Sequence, residues 1–408
     1  MSAAVTTAVT TVVKTTRRVL TRRGVVWLGQ TCNLRCRFCY FQTRIEAKDH
    51  PEHAFMGLAK AKAICDTLRG HYGNNAIDIQ GGEPTIYPGI EELCSHSASI
   101  GLLPTLITNA LVLARREACQ RLKDSGVRDL LVSVHGLGQN YDDVVGVPGA
   151  HVKQMAALNN CVAVGLPVRF NCVLTKSSLP HLADVATLAV NVGARAVNFI
   201  AFNPFEDQQK GERSLDDVAA YSEVAPPLLA AMDILNGAGI EVNVRYFPLC
   251  QVPEAYRQHL YNFQQLPYDL HEWDYASWSW TDMKPQRMRE GELSPVISLR
   301  QANHRSPMYK GVPDYLNDPA ISLDDEYRHS ALIRAREHCG YRETPACLAC
   351  GVRQICDGFH GDYAAFFGPG EARAIETPEP GADPIVDPRH YIRKQHKIVE
   401  PEDAGWAL

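Results

Sequence analysis

No acidic residue occurs before Glu46 in this 408-residue chain, no apolar run is long enough to cross a membrane, and no cysteine follows Cys356. The short apolar runs exclude an α-helical membrane span, so no membrane partner is expected. The acid-free opening is superficially like an organelle transit peptide, but it lacks the charged start and long apolar centre of a secretory signal. Residues 1–24 are therefore expected to form an N-terminal arm. A large excess of either charge is also missing: the formal net charge is −5. That gives no general attraction to nucleic acid, and no nucleic-acid partner is expected. There is no internal repeat and no low-complexity tract. With 45% apolar and 21% charged residues, the chain has ordinary globular composition, and its length allows two domains.

Cysteine is present in quantity. Thirteen of them, an odd number and clustered, point to a reducing cytoplasm. Cys32-Asn33-Leu34-Arg35-Cys36-Arg37-Phe38-Cys39-Tyr40 follows the apolar run Val25-Val26-Trp27-Leu28 with only Gly29-Gln30-Thr31 between them. Three thiols on a short loop after a strand can turn toward one point. Thiolates are ligands of iron–sulfur clusters and of zinc, and such sites normally take four. Three ligands leave one position open to a small molecule. Unrelated buried cysteines are the bland alternative.

Downstream, periodicity predicts a helix over Gly57–Gly70, a strand at Ala76–Ile79, a helix over Gly89–Ile100 and a strand at Pro104–Asn109. The alternation continues with a helix over Arg115–Ser125, a strand at Leu130–Val134 and a helix over Val152–Val164. Strands at Val168–Leu174, Ala196–Phe202 and Glu241–Phe247 follow. Strands separated by helices predict right-handed β-α-β units, a parallel sheet and an α/β fold. Ligands of such sheets gather at the carboxyl ends of the strands. Pro226-Pro227 predicts a break within the helical stretch Ser214–Asn236. The aromatic insert Trp273–Trp280 is read as packing material, with a substrate-stacking surface as the alternative.

The C-x3-C-x2-C spacing with aromatic residues flanking the third cysteine resembles the radical S-adenosylmethionine (SAM) superfamily. Gly81-Gly82-Glu83-Pro84 is similar to that family's turn at the end of the second strand. The resemblance implies a partial (β/α)6 TIM-like barrel, here residues 25–237. It also implies a [4Fe-4S] cluster on Cys32, Cys36 and Cys39 whose open iron binds SAM. Tyr40, Gly81, Gly82, Glu83 and Pro84 are then SAM-site candidates, the acid contacting the amino group. Thr108 and Asn109, Ser133, Arg169 and Asn171 fit the remaining contacts, including those to ribose and carboxylate. In the family, an electron from the cluster breaks SAM to a 5′-deoxyadenosyl radical, and a flavodoxin or ferredoxin is the expected kind of electron donor.

A second group, Cys347-Leu348-Ala349-Cys350 and Cys356, resembles the SPASM and twitch auxiliary-cluster extensions, here residues 238–375, with a tail over 376–408. The full SPASM pattern has a further cysteine where this chain has His360. Cys250, at a strand end, with Cys347, Cys350 and Cys356 would bind one auxiliary [4Fe-4S] cluster. Cys339 and His360 are rivals for the fourth place, and zinc is the alternative metal. Cys65, Cys94, Cys119, Cys161 and Cys172 are read as core. Cys339, left unassigned, is a candidate catalytic hydrogen donor.

The expected activity is hydrogen abstraction from a small molecule such as a sugar, nucleoside or amino acid in a specialised biosynthetic pathway. A peptide maturase is the second reading. It is less favoured because it expects a leader-recognition module, often an N-terminal winged helix, and only 24 residues precede the first strand. A non-catalytic iron–sulfur or zinc partner-binding protein is the third.

Overall fold

The computed structural model describes residues 23–39, 54–70, 74–202, 217–265, 339–377 and 381–392. Tyr40, the arm before residue 23, the insert Trp273–Trp280 and most of the tail lie outside the described residues.

Seven strands form one sheet in sequence order, and every neighbouring pair is parallel. They are β1 Arg23–Trp27, β2 Ala76–Gln80, β3 Leu103–Thr108, β4 Asp129–Ser133, β5 Val168–Leu174, β6 Ala196–Ala201 and β7 Glu241–Arg245. β1 and β7 are the two edges, so the sheet is an unclosed, partial barrel. The helices between strands are α1 Leu58–Gly70, α2 Ile90–Ser99, α3 Arg116–Asp124, α4 Gly138–Val145, α5 Ala150–Val164, α6 Leu182–Asn191 and α7 Tyr221–Gly237.

Strand alternation sorts the residues by face. Val26, Ile77, Ile79, Leu106, Leu130, Val132, Phe170, Cys172, Val197, Phe199, Val242 and Val244 join the apolar core under the helices. Alternate positions carry Asp78, Thr105, Asp129, Arg169, Asn198, Asn243 and Arg245, polar yet buried. Cys65, Cys94, Cys119, Cys161 and Cys172 belong to the apolar core.

Three features depart from the sequence pattern. The strand after Gly237, placed beyond the barrel by its sequence position, pairs with β6 from Ala196↔Glu241 to Ile200↔Arg245 and extends the sheet to seven strands. Its free edge is then covered by the returning chain: Val244 N donates to His259 O at 2.7 Å, and Tyr261 N to Val244 O at 2.7 Å. This removes an exposed edge of unpaired backbone groups. Second, α7 does not break at Pro226 and Pro227. Both prolines lie off its buried side, and the acceptors they leave unbonded, the carbonyls of Ser222 and Glu223, belong to exposed residues open to water. Third, α4 and α6 have no counterpart in the pattern read above. α4 is only eight residues long and ends at Gly146 in the left-handed region, φ 67°.

The C-terminal segment contains helix α8, Gly361–Phe367. Tyr363 stacks on Tyr221 of α7, ring centroids 3.8 Å apart, and its hydroxyl accepts from Tyr221 N at 2.9 Å. Buried Asp357 accepts from Phe263 N at 2.7 Å, and Gln265 donates to Ile355 O at 2.7 Å. These contacts fasten the segment carrying Cys347, Cys350 and Cys356 to the β7 end of the barrel.

Candidate active site and a second cysteine site

The loop after β1 delivers Cys32, Cys36 and Cys39 to the carboxyl end of the sheet, all three half-buried. Its shape is set by main-chain bonds. Arg35 N donates to Val145 O at 2.8 Å and Arg37 N to Val144 O at 3.2 Å, so the C-terminal carbonyls of α4 strap the loop down. Leu34, Tyr141, Val144 and Val145 form a separate small core beneath it, with Cys32, Cys36 and Phe38 packed on top. Burial pushes the Cys32 thiol up to about 12, with the nearby Glu83 and Cys39 charges adding to it. Cys36 is raised well above the ordinary thiol value, again chiefly by burial and then by Cys39 and Cys32. Three sulfurs that repel one another's ionisation suit a cationic group, which turns coordinating thiols into thiolates.

Gly81 and Gly82 bring the β2 turn against the chain just before Cys32. Gly82 N donates to Gly29 O at 2.7 Å and Glu83 N to Thr31 O at 2.9 Å. A Cβ on Gly82 would lie 2.0 Å from Thr31 O, and one on Gly81, at φ +149°, 2.7 Å from Gly29 O. The close approach these glycines permit is thus to the protein's own backbone. Pro84 is buried and opens the 3-10 turn Pro84–Ile86.

Glu83 is 1% exposed. Its Oε1 accepts from Thr85 N at 2.9 Å, Thr85 Oγ1 at 2.5 Å and Thr108 Oγ1 at 2.5 Å, while Oε2 accepts from Asn109 N at 2.7 Å. Burial raises its pKa and these bonds oppose the rise. Four protein donors thus fix the carboxylate in place, three on Oε1 and one on Oε2. In this arrangement Glu83 ties β2 to β3, and the glycine main chain is what the turn presents. Asn109 completes the knot: its Nδ2 donates to Asn33 Oδ1 at 2.7 Å and its Oδ1 accepts from Leu111 N at 3.0 Å.

Ser133, the last residue of β4, and Asn171, midway along β5, are register partners and are half-buried. Arg169 is not with them. It lies one pleat lower, near the start of β5, where its Nε bonds Asp129 Oδ2 at 3.0 Å and its Nη2 bonds Oδ1 at 3.3 Å. Thr105 Oγ1 donates to the same carboxylate at 2.5 Å. Arg169, expected at the ribose or carboxylate of SAM, here holds the buried carboxylate of Asp129 on the neighbouring strand.

Other residues here escaped the sequence reading. Gln154 of α5, buried, donates through Nε2 to Ser133 O at 2.8 Å and Asn109 O at 3.2 Å, and the same atom lies 2.7 Å from Tyr141 Oη. One amide thus joins β3, β4 and α4. His135 shares the Ser133 face, its ring edge-on to Phe38 of the cysteine loop at 4.5 Å. Its Nδ1 accepts from Val173 N at 3.2 Å. Burial lowers its pKa to about 3, so the ring is neutral. A buried histidine beside a serine carries no sequence signal that separates it from core.

The second cysteine group surrounds one cavity of about 360 Å³, open mouth included, lined by Cys250, Cys347, Cys350 and Cys356 together with Pro248, Arg353 and Arg373. Cys339 and His360 do not line it. Cys339 is buried, and its carbonyl accepts from Gly361 N at 2.9 Å. His360 caps α8, its Nδ1 accepting from Asp362 N at 3.3 Å. Among the described residues, no three His, Cys, Asp or Glu side chains converge tightly enough to hold a single metal ion.

An unclosed parallel barrel with three cysteines on the first loop and a glycine-glycine-glutamate turn beside them defines the architecture of enzymes that use an iron–sulfur cluster and SAM. Residues 28–188 match the Radical SAM superfamily. A Methanosarcina barkeri Fe-coproporphyrin III synthase is 31% identical over 322 residues, 77% of this chain and 71% of that protein. The chain therefore belongs to the radical SAM superfamily, whose members imply SAM and a [4Fe-4S] cluster. It is also similar to the AdoMet-dependent heme synthase of Oleidesulfovibrio alaskensis, 29% identical over 45% of this chain and 46% of that protein. The PqqA peptide cyclase of Methylocella silvestris is 26% identical over 42% of this chain and 44% of that protein. The matches thus span about half the length of these last two relatives. Among the described residues, no helix is long and apolar enough to cross a membrane.

Proposed function

We propose that this radical SAM enzyme removes a hydrogen atom from a small organic molecule, with Cys32, Cys36 and Cys39 as cluster ligands. The observation that carries the reading is the continuous network from Asn33 of the cysteine loop through Asn109 to Glu83. It holds the sulfur loop and the Gly81-Gly82 main chain in one fixed relation. Bound together, the cluster and SAM supply reductive cleavage to a carbon radical able to attack a C–H bond. The protein's task is placement and exclusion of water. Gly81 and Gly82 offer main-chain groups, Ser133 and its register partner Asn171 offer polar side chains, and Phe38 with His135 walls the space beside the cysteine loop.

Cys250, Cys347, Cys350 and Cys356 are proposed to hold one auxiliary [4Fe-4S] cluster. Four sulfurs ringing a cavity suit a cluster, in which each iron takes one sulfur, better than a lone zinc ion, which needs all four at one point. Buried Cys339 is the proposed hydrogen donor, and unchanged turnover by Cys339→Ala would remove that role. An electron donor of the flavodoxin or ferredoxin kind would serve the front cluster.

The similarity to an Fe-coproporphyrin III synthase extends over more of the chain than the barrel occupies. That favours a small molecule and makes an iron porphyrin the first addition to a panel of sugars, nucleosides and amino acids. A peptide substrate is the second reading, supported by the PqqA peptide cyclase. The test is anaerobic reconstitution with iron, sulfide, SAM and a strong reductant. 5′-Deoxyadenosine is expected, and deuterium carried into it from a labelled candidate identifies the substrate. No 5′-deoxyadenosine from a fully loaded protein would favour a non-catalytic binder.

A further inference from the structure

We propose that Gln251 is a positioning residue that sets the reduction potential of the metal–sulfur group held by Cys250, Cys347, Cys350 and Cys356. The inference rests on the reading of those four side chains as cluster ligands. Gln251 Nε2 lies 3.4 Å from Cys250 Sγ and 2.8 Å from the main-chain oxygen of Glu371. Its two amide hydrogens are thus divided between a sulfur and the chain that returns past the site.

That returning chain carries further donors. Ile375 N donates to Cys350 Sγ at 3.2 Å, and the main-chain N–H of Arg373 bonds the Cys250 sulfur. Gly351 N donates to Ile375 O at 2.7 Å, which pins the far end of the segment. Gln251 pins the near end through Glu371 O. Removing its amide therefore deletes one N–H···S bond and loosens the segment that supplies two others.

Reduction adds negative charge to a cluster and its sulfurs. Donors aimed at those sulfurs stabilise the reduced form more than the oxidised form, and they do so more strongly in a site shielded from water. Gln251 and its segment should accordingly raise the potential. A residue with no hold on those donors would leave the potential unchanged once the cluster was bound.

The test uses the full chain with Cys32, Cys36 and Cys39 replaced by Ala, so that any remaining cluster belongs to the second site. Gln251→Leu and Gln251→Met are compared with this parent at equal iron and sulfide content, by redox titration followed with electron paramagnetic resonance. The expected result is a lower midpoint: the reduced-to-oxidised ratio at fixed potential falls about tenfold, about 59 mV for a one-electron couple. Both variants titrating with the parent would overturn the proposal while leaving the cluster reading intact. Loss of iron from both would make Gln251 an anchor of the site and overturn its role as a potential-setting donor. A parent that binds no iron or sulfide would overturn the cluster reading itself.

Discussion

Asn109 Nδ2 donates to Asn33 Oδ1 at 2.7 Å, joining the end of β3 to the residue that follows the first cysteine of the loop. The two residues are 76 positions apart in the chain. Because Asn109 N also binds Glu83 Oε2, one residue locks three loops, and the sulfur loop can hold its shape before any metal arrives.

Asn109→Leu keeps the branched shape and deletes the side-chain bonds to Asn33 and Cys32, leaving Leu111 N without its acceptor. Stability should fall by about 1–3 kcal/mol, and iron bound per chain by the front site should fall with it. Denaturant unfolding and iron analysis check this. Unaltered iron content and stability would show that the Asn33 contact is incidental.

Gly82→Ala places a methyl 2.0 Å from Thr31 O, a backbone atom that cannot step aside. The turn must move away from Cys32, and SAM binding by reconstituted protein should be lost. Gly70→Ala is the control, because nothing lies within 4 Å of its Cβ. That variant should stay within about 0.5 kcal/mol of the parent. Equal behaviour of the two variants would refute the packing argument.

Arg169→Met leaves Asp129 buried and without the guanidinium, which should cost about 3–5 kcal/mol. Folded, reconstituted protein should still bind SAM with unchanged affinity, since Arg169 is committed to Asp129. A large loss of SAM affinity in a variant of normal stability would restore Arg169 as a ligand contact.

His135 gives a pH signature. Its folded pKa is lowered from 6.5 to about 3, so between these values the unfolded chain binds a proton that the folded chain refuses. The stability it contributes is complete above 6.5 and declines as pH falls toward 3, by about 1.4 kcal/mol per unit. His135→Phe should flatten the unfolding free energy across that window relative to the parent. Parallel curves would mean that His135 is charged in the folded state.

The elements that could be read from the chain are those whose signal is local. Helical and strand periodicity located β2 to β6 and most of the helices between them, because burying one face imposes that repeat on consecutive residues. The cysteine spacing and the Gly81-Gly82-Glu83-Pro84 turn were visible for the same reason. α4 was invisible because its eight residues bury only Tyr141, Val144 and Val145, too few to make a pattern.

The amino-acid order by itself determined that sulfurs and a glycine-rich turn would end successive strands of a parallel sheet. Only the tertiary structure decided which partners they met: that Glu83 turns to Thr108 and Asn109, that Arg169 turns to Asp129, and that Cys250 opens on the same cavity as Cys347. Those outcomes depend on strand register and on which buried charge lies nearest, and both are set by packing between segments far apart in the chain.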